Sequence, residues 1–354
     1  MKKFAFSTLL ALLLAAVLAL AGCYVSEAEK LQGARTLTLM TWNVHNLFDG
    51  KDDGDEYPEF LQSAGWSVEK YKGRLNSISA AIGKVEPLPD ILVLQEIEHL
   101  QVLEDLAFYL PKGYSWCHFA NNPGAAVGLG ILSRLPISEA KSHSITINGD
   151  TTPRPVLETR IRTESGDLII FICHWKSKIG GDDETEKTRR ASANVILRRI
   201  REIWEDEPET GVIIAGDLNI NHDEFFKRGS NVVCALLPDD SQSAKLVNGQ
   251  KDFIVITGRK PPLPVYFPQE TIVLYSPWIR DLKYGTYFYR NNWETIDHFL
   301  ISHQFFGDLG FKYKNTFVAD FEPFAGHNGV PVPYNQRTGN GLSDHLPLVL
   351  NLFF

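Results

Sequence analysis

Val212 to Asn219 reads VIIAGDLN: an apolar run enters Gly216 and ends on an acid, Asp217, and an amide, Asn219. The run suits a buried strand, and two residues at its end that stand two apart face the same side. The same letters also suit a plain turn, because Asp and Asn bond their own backbone. Recurrence makes the stretch a candidate site. TWN at 41–43, LQE at 94–96, CHWKS at 173–177 and SDH at 343–345 also set polar residues at the ends of apolar runs. These clusters extend from residue 43 to 345, so one fold is expected to use the whole chain, as a single catalytic domain over 36–354.

The chain opens on a targeting segment. Lys2 and Lys3 precede an apolar run from Leu9 to Ala21, closed by Leu-Ala-Gly-Cys at 20–23. Such a run is too short for a membrane span and reads as a secretory signal. Leu-Ala-Gly-Cys resembles a bacterial lipobox, which implies cleavage after residue 22 and lipidation of Cys23. Residues 1–22 are then a lipoprotein signal peptide and 23–35, polar and aperiodic, a tether. The expected location is the bacterial cell envelope, exported and lipid-anchored at the outer membrane or cell surface. Loss of 1–22 removes two lysines and no acid, leaving 33 basic against 43 acidic side chains, net −10. That balance opposes non-specific affinity for polyanions but leaves room for a local basic groove. Cys117, Cys173 and Cys234 are odd in number and lack metal-type spacing, so no disulfide framework is expected.

LTLMTWN is the first strand. The acidic loop from Asp49 to Phe60 does not complete a helix-loop-helix calcium pattern and reads as solvated. Residues 68–85 set Leu75, Ile78, Ile82 and Val85 at helical spacing, and 184–204 do the same with Ala193, Ile196, Leu197, Ile200 and Trp204. DILVLQEIE reads as a buried strand with Glu96 at its carboxyl end. WCHFAN, VGLGILSR, PVLETRIR and DLIIFICHW follow as strands with antiparallel spacing. Residues 221–284 are Pro- and Gly-rich and read as long substrate-facing loops with a short helix. TIDHFLIS and LPLVLNLF restore strand character. Strand-helix-strand units at each end of the chain suggest two similar halves.

WN at 42–43, QE at 95–96, GDLN at 216–219, IDHFLIS at 296–302 and SDH at 343–345, in this order, resemble the endonuclease/exonuclease/phosphatase superfamily over residues 36–354. The resemblance implies an α/β fold, a four-layer α-β-β-α sandwich of two packed mixed sheets as in deoxyribonuclease I. It also implies a divalent-metal phosphoesterase site at one edge.

Attack of water on a phosphodiester gathers negative charge on the nonbridging and leaving oxygens, which hard oxygen ligands holding Mg²⁺ absorb; Mn²⁺ and Ca²⁺ are the other candidates. Glu96 is the first expected ligand, with Asp344 beside it and Asn43 as ligand or orienting amide. His345 offers an imidazole base, and the family pairs it with Asp297. Asp217 is either a second base or a second-metal ligand, with Asn219 positioning it or the water; which of Asp217 and His345 takes the proton stays open. His174 ends its strand where the deoxyribonuclease and sphingomyelinase branches carry a histidine, and is assigned to the scissile phosphate. Lys176 and Lys178 add charge for phosphate, as His-Trp-Lys-Ser-Lys resembles the His-x-Lys-Ser-Lys of secreted bacterial nucleases. Arg154 and Arg134 are further phosphate contacts or plain surface arginines.

His45 stands where abasic-site enzymes carry an Asp, which argues against specific abasic-site repair; His298 has no assigned role. The reading that results is a surface-anchored, metal-dependent nuclease with extracellular DNA or RNA as its substrate, membrane contact through the lipid and no protein partner implied. A sphingomyelinase-type phospholipid phosphodiesterase is the alternative; it would want an exposed apolar hairpin, and 261–279 reads as either that hairpin or a core-facing insertion. A non-catalytic binding lipoprotein is the third reading, and the intact set of acids, amides and histidines argues against it.

Overall fold

The computed structural model describes residues 35–111, 113–308 and 310–354; the signal segment, Cys23 and nearly all of the tether lie outside the described residues. Two mixed sheets are packed face to face. The first has six strands in the order Lys312–Val318, Leu348–Phe353, Thr36–Leu47, Ile91–Ile97, Gly128–Ser133, Trp116–Ala120. The second has eight: Leu236–Pro238, Ile254–Thr257, Val273–Tyr275, Asp297–Ile301, Gly211–Asp217, Gly166–His174, Val156–Thr163, Ile137–His143.

A strand-helix-strand unit with a long helix lies at the centre of each sheet. Thr36–Leu47 and Ile91–Ile97 are parallel neighbours joined through the helix Val68–Ile82. Gly166–His174 and Gly211–Asp217 are parallel neighbours joined through the helix Asp182–Asp206. Because the central strands are covered on both faces, three of these four carry an unbroken apolar run, ILVL at 91–94, LIIFIC at 168–173 and VIIA at 212–215. Leu39, Val93, Ile131 and Leu350 meet Ile170, Ile172, Ile213 and Phe299 between the sheets. On the outer faces, Met40, Trp42 and Leu94 pack on Leu75, Ile78 and Ile82, while Phe171, Val212 and Ile214 pack on Ala193, Ile196 and Ile200. Helix, sheet, sheet and helix make the four layers.

The helices differ slightly from their expected bounds. The first ends at Ile82 instead of 85, where Gly83 caps it. The second runs two residues further at each end. A third helix, Leu100–Tyr109, was not anticipated. Residues 221–284 are also more regular than their composition suggested: Leu236–Pro238, Ile254–Thr257 and Val273–Tyr275 extend the edge of the second sheet. Strands of three or four residues are too short to show a period, which is why they read as loop. The stretch 261–279 is therefore no hairpin. Val273–Tyr275 is a fully buried inner strand, and the preceding loop is pinned by the carboxylate of Asp239, which accepts the amides of Val265 and Tyr266 at 2.9 and 3.0 Å. The acidic loop is mostly exposed from Lys51 to Glu59, but Asp49 at its root is buried.

Strand direction creates two poles. Asn43, Glu96, His174 and Asp217 all lie at or near the carboxyl ends of parallel strands, the end at which open α/β sheets bind ligands. Arg35 lies at the other pole, its amide and carbonyl bonded to Phe354. Seven residues of strand, about 23 Å, separate Thr36 from Asn43. Among the described residues no helix is long and apolar enough to cross a membrane.

Gly216 is where the opening stretch leaves the sheet. Its φ is +134°, and a Cβ built on it would lie 2.0 Å from the Cys173 carbonyl oxygen. Gly216→Ala is expected to lose more than about 1 kcal/mol of unfolding free energy, read from urea denaturation, because no relaxed backbone accommodates the methyl group.

Candidate active site

Register brings three of the candidate residues side by side on the second sheet. Asp217 pairs with His174 across one strand boundary and with Asp297 across the other. The first sheet contributes Asn43, Glu96 and, three residues before its strand Leu348–Phe353, His345. Asn43 joins the two sheets: its Nδ2 donates to Glu96 Oε1 at 3.0 Å and to Asp217 Oδ2 at 3.2 Å.

Local backbone aims these groups. Glu96 has φ +65° at an irregularity in the strand pairing between Gln95 and Ile97, and its Oε2 accepts the Asn46 amide at 2.9 Å. Asp217 ends its strand, and its Oδ1 accepts the amide of Asn219, which is left-handed at φ +51°. The side chain of Asn219 turns away to donate to the Trp175 carbonyl at 3.1 Å. Asn219 thus positions Asp217 through its backbone. His298, which had no assigned role, is fully buried, and its Nε2 lies 2.9 Å from the Ile220 carbonyl, holding the same turn from behind.

His345 Nδ1 lies 2.8 Å from Asp297 Oδ2, which also accepts the Thr286 hydroxyl at 2.6 Å. Trp42 Nε1 donates to the His345 carbonyl at 2.9 Å, and the Ser343 hydroxyl donates to the Asn43 carbonyl at 2.6 Å. The Tyr287 ring leans over the imidazole at 4.8 Å, with Tyr289 beside it at 6.2 Å and nearly parallel. The other imidazole nitrogen, Nε2, is 3.9 Å from Asp217 Oδ2, while His174 Nε2 is 3.5 Å from that same oxygen and 3.8 Å from Glu96.

The electrostatics follow from burial and neighbours. Burial opposes the charged form of His345, but Asp297, Asp344 and Asp217 together outweigh it and raise the imidazole well above its ordinary value. Burial also pushes the Asp217 carboxyl up to about 7, with His345 pulling the other way. His174 goes down, because it is buried and the positive charges of Arg154 and His345 stand near it. At neutral pH the site therefore holds a protonated His345, a neutral His174 and an Asp217 close to its midpoint.

Glu96 and Asp344 meet no lysine or arginine within ion-pair distance among the described residues. Their nearest basic side chains are the imidazoles of His174, at 3.8 Å from Glu96, and His45, whose Nδ1 is 4.0 Å from Asp344 Oδ1. Two carboxylates without a lysine or arginine partner, one of them held by the Asn43 amide, suit a hard divalent cation. Asp217, Asp297 and His345 form a second group whose ligand atoms lie within 4.8 Å of one another.

The basic residues divide. Arg154 stays at the site, its Nη1 donating to the Trp175 carbonyl and its charge felt by His174 and Asp217. Lys176 donates to the Ile179 carbonyl at 3.1 Å. Lys178 is committed to carboxylates instead of phosphate: its Nζ is 2.8 Å from Glu224 and 3.9 Å from Glu294. Arg134 pairs with Asp90, before the start of the strand Ile91–Ile97 and so at the opposite pole. Sequence reasoning missed Thr286, Tyr287, Asn46 and Arg74. Only Arg74 carried a signal, as a cation within the apolar stripe of a helix.

A model of the endonuclease/exonuclease/phosphatase family matches residues 38–254. The fold is similar to a truncated TDP2 from Caenorhabditis elegans, at 16% identity and TM-score 0.51, covering 90% of this chain and 98% of that one. It is also similar to an endonuclease/exonuclease/phosphatase family protein from Bacteroides thetaiotaomicron, at 18% identity and TM-score 0.51, covering 91% and 96%. The sequence matches none of the curated proteins with which it was compared.

The shift of Asp217 has a consequence for stability. A carboxyl raised from 3.8 to about 7 binds its proton more tightly in the folded than in the unfolded chain, so stability falls as pH rises through that interval. His345, also raised, acts in the same direction above its ordinary value of 6.5. Metal-free protein is expected to lose melting temperature between pH 5 and pH 8 (roughly the span of both shifts), and Asp217→Asn should flatten the slope.

Proposed function

The chain belongs to the endonuclease/exonuclease/phosphatase family, whose members are metal-dependent phosphoesterases and nucleases, and we propose that it is a lipid-anchored nuclease of the cell envelope acting on extracellular DNA or RNA. The observation that carries the catalytic reading is the bond from His345 to Asp297, set against Asp217 and tied to Glu96 by the Asn43 amide.

Asn43, Glu96 and Asp344 would hold the divalent cation, Mg²⁺ first and Mn²⁺ or Ca²⁺ as alternatives. Bound there, it supplies positive charge for the phosphate oxygens. Asp217 takes the proton from the attacking water. Its raised carboxyl supports this role, since a base works best with a pKa near the working pH. Asp297 keeps His345 protonated, so the imidazolium meets the charge that develops on the phosphoryl oxygens. His174, neutral because it is buried, donates an N–H to a nonbridging oxygen. Arg154 adds fixed charge at the rim.

Two features support a nucleic acid over a phospholipid. The rings of Tyr287 and Tyr289 form an aromatic face beside His345, suited to a nucleobase. The exposed apolar residues Leu263, Val265 and Tyr266, in the stretch considered as a membrane hairpin, belong to a loop where residues 262–264 line a cavity with Trp204 and His303, at the pole away from the acids. Arg35 leaves the domain at that pole too, so an anchored enzyme would turn its site away from its own membrane.

The test offers the purified protein plasmid DNA, RNA, sphingomyelin vesicles and a chromogenic phosphodiester, each with Mg²⁺ and with chelator. Chelator-sensitive hydrolysis of DNA or RNA, and not of sphingomyelin, is expected. Turnover of sphingomyelin alone would move the protein to the phospholipid branch, and no hydrolysis of any substrate would end the enzyme reading.

Asp217→Asn should lower kcat by about 100- to 10,000-fold and abolish the ascending limb of the pH–rate profile. Asp297→Asn and His345→Gln, acting through one group, should be strongly non-additive in the double variant. A limb that survives in Asp217→Asn but vanishes in His345→Gln would assign the base to His345.

A further inference from the structure

Arg74 lies within the apolar stripe of the helix Val68–Ile82, next to Tyr71, Leu75 and Ile78, and is 2% exposed. Its hydrogen bonds go to three consecutive carbonyls. Nη1 donates to Asn46 O at 2.9 Å, and Nη2 donates to Val44 O at 2.6 Å and to His45 O. The guanidinium carbon lies 3.9 Å from the centre of the Tyr334 ring, while Nε has no partner. A charge buried with this degree of compensation is costly, and docking a helix does not require it.

The three carbonyls converge because His45 and Asn46 are both left-handed, at φ +58° and +60°, a conformation unfavourable for residues that carry a Cβ. The same turn sends its amides the other way. His45 N–H donates to Asn43 Oδ1 at 3.0 Å and Asn46 N–H donates to Glu96 Oε2 at 2.9 Å. One turn is thus clamped on its carbonyl side by Arg74, and on its amide side it orients an amide and an acid of the cation-binding set.

We propose that Arg74 is a positioning residue for the cation site: its guanidinium holds the 44–46 turn in the conformation that aims Asn43 and Glu96, and so sets cation affinity from the far side of the backbone. The inference rests on the metal-dependent reading above. Lysine cannot replace arginine here, because one ammonium lacks the planar fork that reaches three carbonyls.

The test measures Mn²⁺ uptake by purified full-length protein without substrate, from the electron paramagnetic resonance of free Mn²⁺. In Arg74→Lys, shown to be folded by near-ultraviolet circular dichroism, affinity is expected to fall about 10- to 100-fold, the usual cost of losing a partner behind a metal ligand. Substrate KM at saturating Mn²⁺ should stay within about twofold of wild type. Adding Asn46→Gly should recover part of the affinity, because glycine takes the left-handed turn unaided. Mn²⁺ affinity in Arg74→Lys within about twofold of wild type would reduce Arg74 to a helix-docking role and overturn the proposal. No recovery on adding Asn46→Gly would overturn the clamping of the turn. If Arg74→Lys does not fold, Tyr334→Leu, which uncovers the guanidinium, is expected to weaken Mn²⁺ binding, and unchanged affinity there overturns the proposal equally. Wild-type protein that takes up no Mn²⁺ would overturn the metal-dependent reading itself, so the first titration tells the two failures apart.

Discussion

A single amide, the side chain of Asn43, spans the seam between the two sheets. It gives one N–H to Glu96 on its own sheet and one to Asp217 on the other. Two buried or half-buried carboxylates approaching from opposite sheets would repel each other across a low-dielectric gap. A neutral donor with two hydrogens lets them share a site without a permanent counter-charge. A lysine there would neutralise the acids and exclude a cation; an aspartate would add a third negative charge. The amide holds both acids in place without adding a charge of its own.

The rest of the site extends that constraint. Asp297 is 1% exposed and His345 5%, and burial by itself works against a proton on the imidazole. Their mutual bond fixes the imidazole orientation and keeps its proton. Burial, with the charge of Asp297 behind it, pushes the Asp217 carboxyl up toward neutral pH, although the proton on His345 pulls it down. His174 moves down instead, because its burial is reinforced by the positive charges of Arg154 and His345 where that of His345 is outweighed by acids. Two histidines a few ångströms apart thus take opposite protonation states, from their neighbours alone.

Strained backbone at the strand ends does the aiming. His45, Asn46, Glu96 and Asn219 all have positive φ, and all four border the site. His45, Asn46 and Asn219 each turn an amide toward a carboxylate or an amide oxygen, and Glu96 sits at a break in the strand pairing. The packed layers below hold these turns in place: Trp42, Trp175 and Phe225 are almost completely buried under them. This division, a rigid apolar sandwich with strained polar ends, is where functional strain is usually stored.

Much of this was legible in the sequence. The unbroken apolar runs of Ile91–Ile97, Gly166–His174 and Gly211–Asp217 mark strands buried on both faces, since only such strands have no polar side to show. The 3.6-residue stripes mark the two crossover helices, and the polar letters at the run ends mark the residues gathered at one pole. Strand periodicity settles which residues reach the end of a strand, because the chain itself carries that information. It does not settle which strands lie side by side. The pairing of Asp217 with both His174 and Asp297, the reach of the Asn43 amide across the seam, and the commitment of Lys178 to Glu224 join residues dozens to hundreds of positions apart. The short edge strands between 236 and 275 were hidden because three residues show no period. Arg74 could be seen as a cation on an apolar face, but its partners are backbone carbonyls, and carbonyls have no letter in a sequence. Only the tertiary structure decides where they point, because the turn that converges them is held by contacts that distant parts of the chain provide.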